Sequence, residues 1–303
     1  MRKQVQAALV LAVVVSASFA VMGQNPPTGA TKPSNGNSGI VPHSATEAQA
    51  LVRTAIQNQL DEDEKPGGPA FRYTLREHGK RGILTKEMIQ TKEGVVARLV
   101  AIDDRPLTAE ERQADDEKLD NLLRDAQTRA KKLKEQKEDE KRTRKMVGAL
   151  PDAFQFEPDG TVEGPRGPLV RVKFKPNPNF DPPSRELQVF QGMAGTMLID
   201  PRAKRLAEID GKLFRSVNFG WGILGHLDKD GQFMVQQSDV TGNGNWEITH
   251  MKLNFDGKVL IFKSIHIRDD DQASNFRIVP NDLTLAQGIE LLRKQKSAVA
   301  EKQ

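Results

Sequence analysis

Residues Val217–Phe255 read VNFGWGILGHLDKDGQFMVQQSDVTGNGNWEITHMKLNF, and their pattern decides the fold class. Large apolar side chains fall at every second position: Val217, Phe219, Trp221 and Ile223, then Phe233 and Val235, then Trp246 and Ile248. Period two marks a strand with one buried face. The runs are joined by short turn-forming stretches, Asp230-Gly231 among them. Connections this short require antiparallel neighbours, because parallel strands need a crossover of a dozen or more residues. Paired as hairpins, these runs place their apolar residues side by side on the inner face of a curved sheet. Gly220 and Gly222 fall on the other face and, with Gly225, allow the strand to bend. The eight apolar residues are therefore the candidate lining of a ligand groove.

The same signature extends in both directions. Toward the N-terminus, Phe71, Tyr73 and Leu75 alternate with Arg72, Thr74 and Arg76, and Val95–Ile102 is a strong β run. Further strands are expected at Leu169–Phe174, Ala194–Asp200, Arg205–Ile209 and Lys258–Ile267, with Val217–Leu227 read as one continuous strand. Asp210-Gly211 and Asp256-Gly257 read as two more hairpin turns. The expectation is about ten antiparallel strands.

Helices punctuate this inventory. Ser44 and Glu47 have capping-box spacing, and Ala48, Leu51, Val52, Ala55 and Ile56 follow at helical intervals. Thr284 and Gln287 open a closing helix carrying Leu285, Ile289 and Leu292. Between them, Thr108 and Glu111 make another capping box, and neither glycine nor proline occurs from Leu107 to Val147. Leu119, Leu122, Leu123, Ala126, Ala130 and Leu133 form an apolar stripe that stops at Leu133. Residues 108–127 carry seven acids and three bases, and residues 128–147 four acids and nine bases, the polarity a helix dipole favours. The reading is one long helix over 108–147, docked along its first half and projecting into solvent along its second. It serves as an insertion in a domain spanning 44–303 and as a surface for a protein partner.

The first 20 residues read as a leader. Arg2 and Lys3 precede an apolar run from Ala7 to Ala17, and Ser18-Phe19-Ala20 places small residues at −3 and −1 of a cleavage site after Ala20. The run is shorter than the ~20 residues that span a bilayer. Residues 1–20 are thus expected to be a signal peptide, and 21–43, rich in Pro, Gly, Asn and Ser, a flexible linker. The mature chain is expected in a periplasm or outside the cell, with no transmembrane segment.

Composition narrows function further. The 303 residues include 45 Lys+Arg against 41 Asp+Glu, a surplus of 45 − 41 = 4, too small to imply nucleic acid as a partner. There is no cysteine, which removes disulfides, thiolate metal sites and a cysteine nucleophile. Gly220–Gly225 matches G-x-G-x-x-G, but a new β run follows where a dinucleotide site needs a helix. The Asp228/Asp230 and Asp239–Gly244 stretches lack the terminal glutamate of a calcium loop and read as turns. Asp269-Asp270-Asp271 reads as a solvated hairpin tip. His250 and His266 read as a structural pair facing one another on the sheet. No catalytic, metal-ligating or cofactor-binding residues are nominated.

The fold class expected is α+β: a curved antiparallel sheet forming an unclosed half-barrel, with N- and C-terminal helices and a long inserted charged helix. Gly195-Thr196-Met197-Leu198-Ile199-Asp200-Pro201, Arg205–Gly211 and Asp256-Gly257-Lys258-Val259-Leu260 resemble the hairpins of the outer-membrane lipoprotein carriers and of related periplasmic sensors. The order of elements across 44–295 is similar to theirs, and the whole resembles uncharacterised exported proteins of soil bacteria. That resemblance implies a non-enzymatic carrier or sensor holding a lipid, acyl or lipoprotein ligand in the cup of the sheet. The alternative is a structural or interaction protein whose cup is filled by its own side chains.

Overall fold

The alternating segments do form strands, and they join into a single open sheet in which every strand pairing is antiparallel. The computed structural model describes residues 41–65, 67–79, 82–219, 225–259 and 263–300, the last six by backbone alone. Residues 1–40, which hold the expected signal peptide and most of the expected linker, lie outside the described residues, as do Trp221 and Ile223.

In chain order the elements are α1 (Ala45–Glu64), β1 (Ala70–Gly79), β2 (Gly82–Thr91), β3 (Gly94–Ile102), β4 (Arg105–Pro106), α2 (Ala109–Arg124) and α3 (Ala126–Ala153). There follow β5 (Phe154–Gly164), β6 (Gly167–Pro176), a 3-10 helix (Arg185–Gly192), β7 (Met193–Asp200) and β8 (Arg205–Leu213). The chain continues through β9 (Val217–Phe219), β10 (Gly225–Leu227), β11 (Gln232–Asp239), β12 (Trp246–Val259), β13 (Lys263–Val279) and α4 (Leu285–Ala300). The sheet order is β4-β3-β2-β1-β13-β12-β11-β8-β7-β6-β5, with the β9–β10 hairpin attached to β12. The last strand, β13, inserts beside β1 and so splices the N-terminal meander to the rest. Edges remain at β4 and β5, giving an α+β unclosed half-barrel.

Each face of the sheet carries its own core. Along β13 the register is unbroken from Lys263 to Ala273, so Ile265, Ile267, Asp269, Asp271 and Ala273 share one face. Ile265 and Ile267 pack into the main core with α1, α3 and the 3-10 helix, whereas Ala273 joins Phe71, Tyr73 and Leu75. These two clusters therefore lie on the same, inner face. Ile89 and Val96 point the other way and pack with Leu119 of α2 and Leu285, Ile289 and Leu292 of α4.

The inserted helix differs from the expectation. Asp125 breaks it, capping α2 at its C-terminus and accepting the N–H groups of Gln127 and Thr128 to start α3. The break is needed because α2 packs on the outer face while the C-terminal part of α3 packs on the inner one. Between them α3 passes the β2–β3 turn, where a Cβ on Gly94 would come within 2.7 Å of Gln136 Oε1. The second half does not project into solvent. Thr143, Met146 and Leu150 are buried, and Arg144 donates to the Leu60 carbonyl and pairs with Glu64 of α1.

Two of the three Asp-Gly pairs are not turns. Asp230-Gly231 is one, with Asp230 at φ 70°. Asp210-Gly211 and Asp256-Gly257 instead lie within β8 and β12. Glycine is required there for close approach. A Cβ on Gly211 would sit 2.6 Å from the Phe233 ring, and one on Gly257 would sit 2.2 Å from the His226 carbonyl oxygen of β10. The continuous strand expected over Val217–Leu227 is a hairpin: Val217 opposes Leu227 and Phe219 opposes Gly225. Gly220–Leu224 lie outside the described residues, but β10 follows rather than a helix, so the glycine pattern lacks the helix N-terminus that would receive a phosphate.

Candidate functional site

On the inner face the helices leave a gap over the sheet. An apolar cavity of about 110 Å³ lies beneath α3. Its roof is Met146, Val147 and Leu150 of α3, and its floor is Ile209, Phe233, Val235, Ile248 and Leu253 from β8, β11 and β12. Phe154, Phe190 and Met193 form the end wall. The polar lining is limited to Gln59, Thr143 and Gln237, and these are engaged: Gln237 Nε2 donates to Gln59 Oε1 at 3.3 Å, and Thr143 Oγ1 donates to the Asp139 carbonyl at 2.8 Å. Such a lining leaves no polar group seeking a partner in the void, so it suits apolar contents.

Of the eight residues nominated from the sequence, Phe233, Val235 and Ile248 line this cavity. Val217 and Phe219 are buried in the main core on β9, away from the lining. Trp246 is buried nearby, with the Arg205 guanidinium 6.0 Å from its ring. Trp221 and Ile223 lie outside the described residues. The roof was missed. Gly148 and Pro151 look like a helix stop, yet α3 continues through both to Ala153. The signal was present in the spacing of Met146, Val147 and Leu150, which is i, i+1, i+4.

Beside the cavity the inner face turns polar. Asp269-Asp270-Asp271 sit in mid-β13 rather than at a hairpin tip, with Asp271 opposite both Met251 and Glu77. Asp269, Asp271 and Glu77 face inward, and Lys86 of β2 pairs with Glu77. Burial, together with Glu77 and Asp269, pushes the Asp271 carboxyl up to about 7, against a smaller opposing pull from Lys86. Asp270 faces outward and bonds His250 at 2.8 Å. His266 bonds Asp256 at 2.6 Å. The two histidines are therefore each paired across strands with an aspartate and do not meet.

The Asp239 loop is a turn held by one carboxylate, which accepts the N–H groups of Thr241, Gly242, Gly244 and Asn245. Among the described residues no group of three or more His, Asp or Glu side chains could hold a metal ion. Nor is any helix among them long and apolar enough to cross a membrane.

No family model matches the sequence, and no curated protein matches it. Two solved structures align over most of the chain. One is a putative outer membrane lipoprotein-sorting protein domain from Vibrio parahaemolyticus, with 8% identity, 82% of this chain and 99% of that chain covered, and a TM-score of 0.29. The other is a DUF1329 family protein from Desulfovibrio piger, with 10% identity, 76% and 92% coverage, and a TM-score of 0.30. At these scores the superpositions are loose, and the functional reading rests on the cavity.

Proposed function

We propose that this protein is a non-enzymatic carrier or sensor, exported after loss of residues 1–20, that takes an apolar, acyl-type chain into the cavity beneath α3. The observation that supports it is the void itself. Protein cores are close-packed, whereas here the helices leave a partly open pocket of about 110 Å³ over the sheet, with an almost wholly apolar wall. An apolar cavity of about 150 Å³ stays dry and accepts a benzene-sized guest. The gap in its present form therefore suits a chain end, and a whole acyl chain requires α3 to shift.

The competing reading, a scaffold with a filled cup and with α2 and α3 as docking surface, is favoured by the same number. Ligand pockets usually run from about 300 Å³ upward. Binding decides between them. A neutral fluorescent dye should bind at micromolar concentration and be displaced by dodecanol. Val147→Phe, which places a ring in the void, should abolish binding without lowering the melting temperature. If the unaltered protein binds neither dye nor dodecanol, the filled-cup reading stands.

A further inference from the structure

A second, larger space lies along the same two helices, α1 and α3. Past Gln59 and Thr143, α1, α3 and the β2–β3 turn line a groove of about 780 Å³. One helical turn along α1, Glu62 and Asp63 line it, and on α3 it runs from Leu133 to Arg144. From Leu133 to Leu150 the roof of cavity and groove together spans about 26 Å at ~1.5 Å per residue. The two spaces thus follow one another along α1 and α3, one apolar and one charged, with the bridge from Arg144 to Leu60 and Glu64 between them.

The charges in the groove are not balanced pair by pair. Glu62 is bridged by Lys65 at 2.8 Å, Glu64 by Arg144 at 2.6 Å, and Glu140 accepts from Gln136 at 3.0 Å. Asp63 acts on the buried Arg205, where its charge opposes the fall in pKa that burial causes. Lys65 and Arg144 thus neutralise Glu62 and Glu64, whereas Gln136 is a neutral partner and leaves Glu140 charged. Lys92, Lys137 and Lys141 line the same groove, are exposed, and make no ion pair among the described residues. Lys137 and Lys141 stand one turn apart on α3, and Lys92 faces them from the β2–β3 turn. Ammonium groups converging on a concave surface focus positive potential there.

We propose that the ligand is an amphiphile with an anionic headgroup, whose chain end enters the cavity under α3 and whose head lies in the groove against Lys92, Lys137 and Lys141. This rests on the carrier reading and adds to it a ligand class and a direction of insertion. Lysines act as flexible point charges, so the groove selects for negative charge rather than for one head geometry.

The test uses dodecyl phosphate, monolauroylglycerol and dodecyltrimethylammonium, each below its micelle concentration, and inorganic phosphate alone. Displacement of the neutral dye gives the affinity of each amphiphile, and calorimetry gives that of phosphate. Dodecyl phosphate should bind about tenfold tighter than the uncharged ester, as two or three exposed pairs would give, and the cationic amphiphile should bind weakest. Lys137→Glu with Lys141→Glu should erase that preference, so that within the variant dodecyl phosphate binds no tighter than the uncharged ester. Lys132→Glu, an exposed charge reversal on α3 outside the groove, should preserve it. Equal affinity for all three heads, or a preference that survives the double reversal, overturns the headgroup assignment alone. Inorganic phosphate binding as tightly as dodecyl phosphate also overturns it, since the groove would then be a free-anion site. If no amphiphile displaces the dye, the carrier reading falls and the headgroup assignment with it.

Discussion

Replacing Asp271 by Asn should make the protein more stable above neutral pH and leave it unchanged in acid. The Asp271 carboxyl lies half-buried on the inner face, between Met251 and Glu77, and its pKa is pushed up to about 7 from an ordinary 3.8. Burial is the main cause, with the neighbouring carboxylates of Glu77, Asp269 and Asp270 adding to it and Lys86 opposing. A folded pKa above the unfolded one means that the native state binds the proton more tightly. The carboxylate thus costs nothing below about pH 4, and its cost grows through the window from 4 to 7 and is complete above it. Three units at ~1.36 kcal/mol each set a ceiling of about 4 kcal/mol. Partial exposure and solvent screening reduce this to about 2 kcal/mol. At 2–4 °C per kcal/mol for a domain of this size, Asp271→Asn should raise the melting temperature by about 4–8 °C at pH 8. At pH 4 it should change it by about a degree or less. Calorimetric melting of both proteins from pH 4 to 8 measures the difference. A pH-independent shift, or a loss of stability at pH 8, would refute the desolvation account and make Asp271 a structural hydrogen-bond acceptor.

Three smaller predictions concern the frame around the site. Gly257→Ala drives a methyl group into the β10 backbone at His226 and should cost about 2–4 kcal/mol; hydrogen exchange at Gly225–Leu227 should rise, and unchanged protection there would mean that β10 does not need the close approach. Thr108→Ala removes the hydroxyl that caps Glu111 N–H at 3.2 Å and should lower stability by about 1 kcal/mol in urea unfolding. Asp239→Ala strands four loop N–H groups and should cost about 2–4 kcal/mol. For the same loop, millimolar calcium should leave the melting temperature of the unaltered protein where it is, and a rise would show an ion site.

Much of the architecture was legible in the chain because it depends on local spacing. Period-two alternation, with few residues between runs, is enough to call for an antiparallel sheet. The capping boxes at Thr108 and Thr284 were readable for the same reason: their partners lie three residues away. Phe233, Val235 and Ile248 could be nominated for the cavity because strand alternation alone assigns them a common face.

What tertiary structure decided lies at longer range. Whether an Asp-Gly pair turns or continues depends on what packs against it: nothing near Gly211 or Gly257 in sequence reveals the Phe233 ring or the β10 backbone that needs the space. The acidic triplet looks like a solvated tip until β1 and β12 close on either side of β13 and remove water from Asp271. The roof of the cavity depends on a helix that must cross from one face of the sheet to the other. A one-dimensional hydrophobic stripe cannot express that crossing, because the stripe changes partners on the way. Period and spacing determine which side of an element is apolar, but only the assembled sheet determines what that side meets.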